Sequence, residues 1–448
     1  MRESSFGIQI GGLRRDSKDP AGFSMLKNLA VGPGYLYIPA VPDIARDTGS
    51  QFFRGRTKTF RATATAIYEV TESTMAETLV STVPTGGGGW WSFADFGPVY
   101  VFASGGRVIS RRQTLDDDEY VYSTVSAAAT NAKVVADYND TRLFVGGTSK
   151  GTNTVSWSLI DGSDIWTILD GGDATPQQIA LLQRGTAVMP WRGEVRAMFQ
   201  LGDGMAVYGA DGITILAPTG KSFGMVDPKG LPRHIGIPCR SAVGGDRLRH
   251  VFVGTDGALY TLDESFQCER LGFEEYMPTA PVVVHDPIES QWWISGTSTS
   301  YLLTAGGLSG PVSAVVTSLI RSVAGPVASG IDYATATVEA EMWSGLLDAG
   351  DNAQKRMTFL RATCDGVTGM KGAVSYGTRS DGTFKTRPWA AASREKAMFI
   401  NSVFTSARAG ILFSGAPEAA RVYGLEARYQ YHDRRAVRGT RGVTKQEE

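Results

Sequence analysis

Pro218-Thr219-Gly220-Lys221-Ser222, placed just after the strand-like run Ile213 to Leu216, carries the residue types that close a phosphate-binding loop. Such a loop wraps phosphate in consecutive backbone N–H groups, and it needs a second glycine with four residues between it and the Gly-Lys pair. Ile215 stands at that position. A β-branched side chain cannot replace the glycine and no helix pattern follows, so the segment is expected to be the end of a hairpin. The histidines His234, His250, His285 and His432 are far apart and have neither the two-His helix spacing nor the Cys/His pairing of a metal site. Each is expected in a turn or at the surface. The Gly-x-Ser-x-Gly elbow of a serine nucleophile is missing. These residues ask for no catalytic role, and the chain is expected not to be an enzyme and to need neither cofactor nor metal.

A second candidate runs from Ser156 to Thr167 (SWSLIDGSDIWT). Its Ser, Asp, Gly and Trp are the residue types of the Asp-box turn of sialidase propellers, but that turn requires Ser-x-Asp-x-Gly-x-Thr-Trp and the register here differs. Asp-box residues are in any case structural, since their side chains hold a turn by bonding its backbone. A glycosidase would further need paired carboxylates and, for sialic acids, an arginine cluster. Acidic residues are plentiful, and one sequence gives no means of pairing them.

What positions these residues is a recurring element: an apolar, β-branched or aromatic run, a Gly/Asp/Ser turn, then a second such run. Clear copies are Met205 to Leu216, His250 to Leu262 and Gln291 to Leu303, and fainter ones are Val99 to Ile109 and Arg142 to Ser158. Each reads as a hairpin, because Asp-Gly or Gly-Gly supplies the positive φ of a tight turn between twisted strands. One hairpin cannot bury its own apolar face. Copies returning at roughly 40 to 50 residues suggest four-stranded blades around an axis, as in a β-propeller.

Composition agrees with an all-β chain: 54 glycines and only 20% charged residues in 448 leave many turns and few helix-forming stretches. No apolar stretch reaches the length of a membrane span, and Met1 to Ile10 lacks the apolar centre of a signal peptide. Cys239, Cys268 and Cys364 are too few and too scattered for a disulfide framework or a structural zinc site, and are expected to be buried thiols. A net charge of −1 offers nucleic acid no bulk attraction.

Four regions are expected. Residues 1–45 are a Gly/Pro-punctuated, extended N-terminal arm; residues 46–328 hold the propeller-like domain. A Gly/Pro/Ser break at Gly325 to Gly330 precedes a C-terminal β-sandwich-like domain over 329–440, with a polar tail at 441–448. In that last domain Val338, Ala340 and Met342, and again Leu425, Ala427, Tyr429 and Tyr431, alternate as strands with one covered face.

Several segments together resemble the tail nozzle, or tail stabilisation, proteins of short-tailed bacteriophages. The opening GGLRRDSKDPAGFSMLKNLAVGPGYLYIP is similar to the start of such proteins, and TRLFVGG followed by VSWSLIDGSDIWT resembles their Trp-Ser strand and turn, carried by Trp157, Asp161 and Trp166. The Gly-Asp order of that turn is inverted at Asp161-Gly162. DRLRHVFVGTDGALYTLDES resembles a further family hairpin, at Gly254, Asp256, Gly257 and Tyr260, and YGLEARYQYHDRRAVRG is similar to the last strand with its closing Arg434 and Arg435. The likeness runs collinearly from about residue 7 to about residue 440, through loose individual motifs.

The resemblance implies a structural virion protein, made in the host cytoplasm and placed in the virion tail. It implies a homo-oligomeric ring, six-fold in the family, contacting portal or adaptor ring proteins and other tail proteins. Packaged DNA would cross a central channel without tight, sequence-specific binding, and a near-neutral chain suits that role because each phosphate neutralised adds friction. Ring contacts are heterologous, and the opening arm is expected to lie across a neighbouring subunit. Arg434, Arg435, Arg438 and Arg441 are candidate interface residues with a solvated rim as the plainer role. Two other classes remain. A carbohydrate-binding or glycoside-cleaving propeller would use the pairs Trp90-Trp91 and Trp292-Trp293 to stack on sugars, and a scaffold propeller would bind protein partners through loops on one face.

Overall fold

Met205 to Tyr208 shows why the hairpin runs are apolar at every position rather than at alternate ones. Met205 and Val207 pack with Val134, Phe144 and Trp157 on one side. Ala206 and Tyr208 pack with Phe252 and Tyr260 on the other. A strand buried on both faces has no polar face to show, so the period-two signal disappears into a continuous apolar run.

The computed structural model describes the chain except residues 1–2, 9–10, 15–22, 83–88, 96–98, 106, 114–119, 125–131, 149–150, 159–184, 221, 323–324, 334, 348–353, 378–384, 394–395 and 432–448. The described residues form two compact units, one of Val41–Ser300 with Ala314–Asp332 and one of Met1–Ala40, Tyr301–Ser313 and Tyr333–Glu448. The protein is all-β, and the first unit, with the strands Ser300–Thr304 and Gly307–Val312, makes a β-propeller.

Among the described residues the propeller has seven blades. Blade 1 is Gln51–Arg54, Thr59–Ala62, Ala66–Thr71 and Ala76–Thr82, and blade 2 is Ser92–Asp95, Val99–Ser104, Arg107–Gln113 and Tyr120–Thr124. Blade 3 is Val134–Tyr138, Arg142–Thr148, Gly151–Trp157 and Gly185–Val188, and blade 4 is Val195–Leu201, Gly204–Gly209, Ile213–Pro218 and Phe223–Val226. Blade 5 is Val243–Gly245, Arg249–Val253, Leu259–Asp263 and Cys268–Gly272; blade 6 is Val282–Asp286, Gln291–Ser295, Ser300–Thr304 and Gly307–Val312. Blade 7 is Val315–Ser322 and Gly325–Ile331, completed by Asp43–Arg46, which runs parallel to Gly325–Ile331. A strand from before blade 1 thus closes the last blade.

Every hairpin read from the sequence is the middle pair of a blade, as Met205–Leu216 and Arg249–Asp263 show by direct pairing. The apolar core is divided into layers between successive blades: Phe60 and Ile67 against Tyr100 and Phe102, and Val70 and Phe52 against Ile320 and Val327. The expected break at Gly325 to Gly330 is instead a strand, GPVASGI, the middle strand of blade 7, paired on both sides and with Val327 and Ala328 buried.

The second unit contains two six-stranded sheets. One has the order Ala30–Gly32, Tyr35–Tyr37, Arg421–Tyr431, Lys355–Asp365, Ala397–Phe404, with Glu3–Ile8 also paired to Arg421–Tyr431. The other has the order Met25–Lys27, Val338–Trp343, Ser406–Gly415, Val367–Gly377, Lys385–Thr386, with Ala390–Ala391 on Val367–Gly377. Val338, Ala340, Met342, Leu425, Ala427 and Tyr429 are all buried, on the alternation expected. The opening residues are extended, but they are not a free arm: they pair within their own chain, Glu3–Ile8 antiparallel to Leu425–Gln430 and Met25–Lys27 to Glu341–Trp343. Buried Asn28 fixes this weave. Its side chain donates to the Glu339 carbonyl at 2.8 Å and accepts the Ser313 N–H at 2.7 Å.

Candidate functional site: the axial cavity of the propeller

The first strand of each blade lines the axis, and hydrogen bonds between neighbours show that all these inner strands run the same way. Trp91 N–H donates to Gln51 Oε1 (2.7 Å) near their beginnings, and Arg56 N–H donates to Asp95 Oδ2 (2.6 Å) at their ends. Lys133 Nζ and Glu194 Oε2 meet at 2.8 Å just before the inner strands of blades 3 and 4, and Asn139 N–H donates to Gln200 Oε1 at 3.0 Å at their far ends. Val283 N–H donates to the Ser241 carbonyl at 2.8 Å between blades 5 and 6. Phe52 N–H donates to Ser318 Oγ at 2.8 Å and so joins blade 7 to blade 1.

Parallel inner strands give the axis two chemically different rims around a cavity of about 720 Å³. The rim at the strand beginnings carries Lys133, Arg196 and Arg240, with Trp90 and Trp91 beside them. The rim at the strand ends mixes Arg54, Arg247 and Arg321 with Asp137 and Asp246. Between them lie small and apolar groups, among them Ala136, Ala197, Val243, Gly244 and Val284.

Titrating groups at the axis are displaced by burial. Asp137 is pushed up to about 6, chiefly because burial penalises its charge, with the Asp140 and Asp95 carboxylates adding to the effect. His250, fully buried, is brought down to about 4 by the same cause acting on a cation, against a bond from its Nε2 to the Gln200 carbonyl at 3.2 Å. Its Nδ1 meets the Tyr208 hydroxyl at 2.8 Å, which ties blade 5 to blade 4. Burial also lowers Arg240, and repulsion from Arg196 adds to that. This arrangement can hold an anion at one rim and a proton on a carboxyl group at the other.

No family model and no curated protein matches this chain. Among solved structures it is similar to the Pan2 WD40 domain of Neurospora crassa, at 8% identity and a TM-score of 0.38, over 66% of this chain and 86% of that one. It is also similar to the extracellular domain of a putative one-component system of B. thetaiotaomicron, at 9% identity and a TM-score of 0.39, over 82% of this chain. That match spans 48% of the other chain, about half its length. These likenesses concern fold alone.

The residues singled out in the sequence occupy other places. Gly254, Asp256, Gly257 and Tyr260 form the middle turn of blade 5: Gly257 has φ +81°, and Asp256 accepts the Ala258 N–H at 3.1 Å and the Tyr260 hydroxyl at 2.7 Å. Trp157 is buried at the end of a blade 3 strand, its ring stacked on Phe144 at 5.8 Å between centroids. Asp161, Trp166, Arg434, Arg435, Arg438, Arg441 and His432 lie outside the described residues. Thr219 N–H bonds the Ser222 carbonyl at 2.8 Å and Gly220 has φ +80°, the hairpin end expected there.

Trp292 and Trp293 are buried in blade 6, Trp292 stacked on His285 at 4.7 Å, so they are not displayed for stacking on a sugar; half-buried Trp90 and buried Trp91 line the cavity. His234 does sit in a turn, with φ +66°, but His250 and His285 do not match the expectation: the first is a buried tie between blades and the second has little exposure. Among the described residues no group of three metal-ligating side chains is present, and no helix is long and apolar enough to cross a membrane. Lys133, Arg196, Arg240 and Asp137 were not singled out from the sequence. The signal that could have found them is position: each brackets the short apolar run that precedes a recognisable hairpin.

Proposed function

We propose that the chain is a structural subunit of a bacteriophage particle, a tail nozzle protein that joins others of its kind in a ring around a channel that retains and then conducts packaged DNA. The observation that carries this reading is the insertion of a closed propeller between the opening and closing strands of one sandwich. Glu3–Ile8 and Met25–Lys27 come before it, and Val338–Trp343 and Arg421–Tyr431 come after it. A pull on either flanking strand is therefore met by the antiparallel ladder of Glu3–Ile8 with Leu425–Gln430, beginning at the Glu3–Gln430 pair, before it reaches a blade. The collinear phage-tail motifs described above support the same reading. Where those motifs lie in the described residues, at Gly254, Asp256, Gly257 and Tyr260, they serve a turn rather than a reaction.

The opening strands pair with their own chain and do not reach across a neighbouring subunit, so contacts between copies use other surfaces. Mass measurement and negative-stain imaging of the purified protein test the proposal. Closed rings whose mass is a whole multiple of 48.0 kDa, six-fold in the simplest case, are expected. A chain that stays a monomer at every concentration, and that does not join purified portal or adaptor rings, overturns it.

A further inference from the structure

We propose that Lys133, Arg196 and Arg240, at the rim where the inner strands begin, form a binding site for the oxyanion group of a small ligand, a phosphate or carboxylate that enters the propeller axis from that end. The inference does not depend on the nozzle reading, since the site is complete within one subunit.

The argument rests on an imbalance of charge in a walled space. Glu194 is the carboxylate these cations share, and it already holds Lys133 Nζ at 2.8 Å and Arg196 Nε at 3.6 Å. Arg196 spends a further N–H on the Ile237 carbonyl at 2.5 Å. Among the described residues Arg240 has no hydrogen-bond or ion-pair partner, although its guanidinium is partly buried and feels both Glu194 and Arg196. Three cations thus answer to one carboxylate, and the cations line the cavity while Glu194 does not.

A partly buried guanidinium with no hydrogen-bonded anion is costly, and a planar fork of N–H donors matches the oxygens of a phosphate or carboxylate. An oxyanion between Arg240 and its neighbours would offset the burial that lowers Arg240, and the lesser repulsion from Arg196, in place of the water it has lost. The space behind the rim is bounded and largely apolar, with Val134, Ala197, Val243 and Val283 along it, and its volume of about 720 Å³ suits the body of a small molecule. Trp90 and Trp91 stand at the same rim, close enough to the axis to report occupancy by fluorescence.

The test is titration of the full chain with inorganic phosphate at constant ionic strength, sodium chloride being the control, read by tryptophan fluorescence and by thermal midpoint. Saturable binding of phosphate and not of chloride is expected, weakened about tenfold in Arg240→Gln, as loss of one charge-assisted contact implies. Arg240→Lys is expected to fall between the two. Glu194→Gln frees Lys133 and Arg196 and is expected to tighten binding severalfold, which a merely structural role would not do. Glucose 6-phosphate and glucose distinguish the sources of the anion. Binding of the phosphate ester with none of the sugar supports the site, and equal binding of both overturns it. No saturable phosphate response, or an equal response in wild type and Arg240→Gln, also overturns it; if Arg240→Gln does not fold, weaker binding by Glu194→Gln does so.

Discussion

Ser318 in blade 7 holds both backbone groups of Phe52 in blade 1: its Oγ accepts the Phe52 N–H at 2.8 Å and donates to the Phe52 carbonyl at 3.4 Å. One buried hydroxyl therefore substitutes for a ladder at the seam where the ring of blades meets itself. Ser318→Ala leaves a buried donor and acceptor without that partner and is expected to cost about 2 kcal/mol. Urea unfolding followed by tryptophan fluorescence measures it, and an unchanged midpoint would show that the seam does not need the hydroxyl.

His250 gives the propeller an acid-sensitive tie. Its folded value of about 4 lies below the ordinary 6.5, so the unfolded chain takes up a proton that the folded chain refuses. Stability from this group is complete above about 6.5 and is lost as pH falls toward 4, by on the order of 3 kcal/mol in all. Urea midpoints at pH 7 and at pH 4.5 are expected to differ in that direction.

Asp137 acts with the opposite sign. Its folded value of about 6 lies above the ordinary 3.8, so its contribution is fully present below about 3.8 and lost as pH rises through 6. Asp137→Asn removes that loss and is expected to stabilise the protein at pH 7 by roughly 1–3 kcal/mol. Against the wild type, the variant should also show a steeper decline between pH 6 and 4, because the carboxyl group no longer offsets His250.

Two glycines separate close packing from backbone conformation. A Cβ at Gly244, in the inner strand of blade 5, would stand 2.4 Å from the Val283 carbonyl oxygen in blade 6, while at Gly257 it would meet open space but the φ is +81°. Gly244→Ala must push two blades apart and is expected to cost about 3 kcal/mol, against about 1 kcal/mol for Gly257→Ala. Equal midpoints for the two variants would show that the blades are not held at that distance.

The three thiols are free, with Cys268 and Cys364 buried and Cys239 half-buried. Burial pushes the Cys268 thiol up to about 12, so it offers almost no thiolate at neutral pH. A disulfide-exchange reagent at pH 7.5 is expected to titrate one thiol in the native protein and three after unfolding. Prompt reaction of all three would mean that the blades open readily.

The sequence showed the blades only where both middle strands were bright. Met205–Leu216 and His250–Leu262 are legible because Asp211-Gly212 and Asp256-Gly257 mark the turn between apolar runs. Blade 1 was missed since its middle turn, Thr63 to Thr65, uses a threonine side chain, Thr63 Oγ1 accepting from Ala66 N–H at 3.0 Å, with no glycine to announce it. Blade 7 was missed because its second strand, GPVASGI, reads as a linker and its third comes from Asp43–Arg46. The inner strands are short and only partly apolar, so the charged residues at their ends did not stand out as a set. That Arg196 and Arg240 converge follows from blade geometry, which spacing along the chain does not encode.

The pairing of Glu3–Ile8 with Arg421–Tyr431 has a consequence for synthesis. Glu3–Ile8 leaves the ribosome long before its partner, with the whole propeller made in between, while the blades can close as they emerge. Until Arg421–Tyr431 arrives, the early strands present unsatisfied edges to their surroundings. Newborn chains are therefore most vulnerable to mispairing with one another just before Arg421–Tyr431 emerges, and slower translation of the stretch between the propeller and that strand would lengthen the exposure.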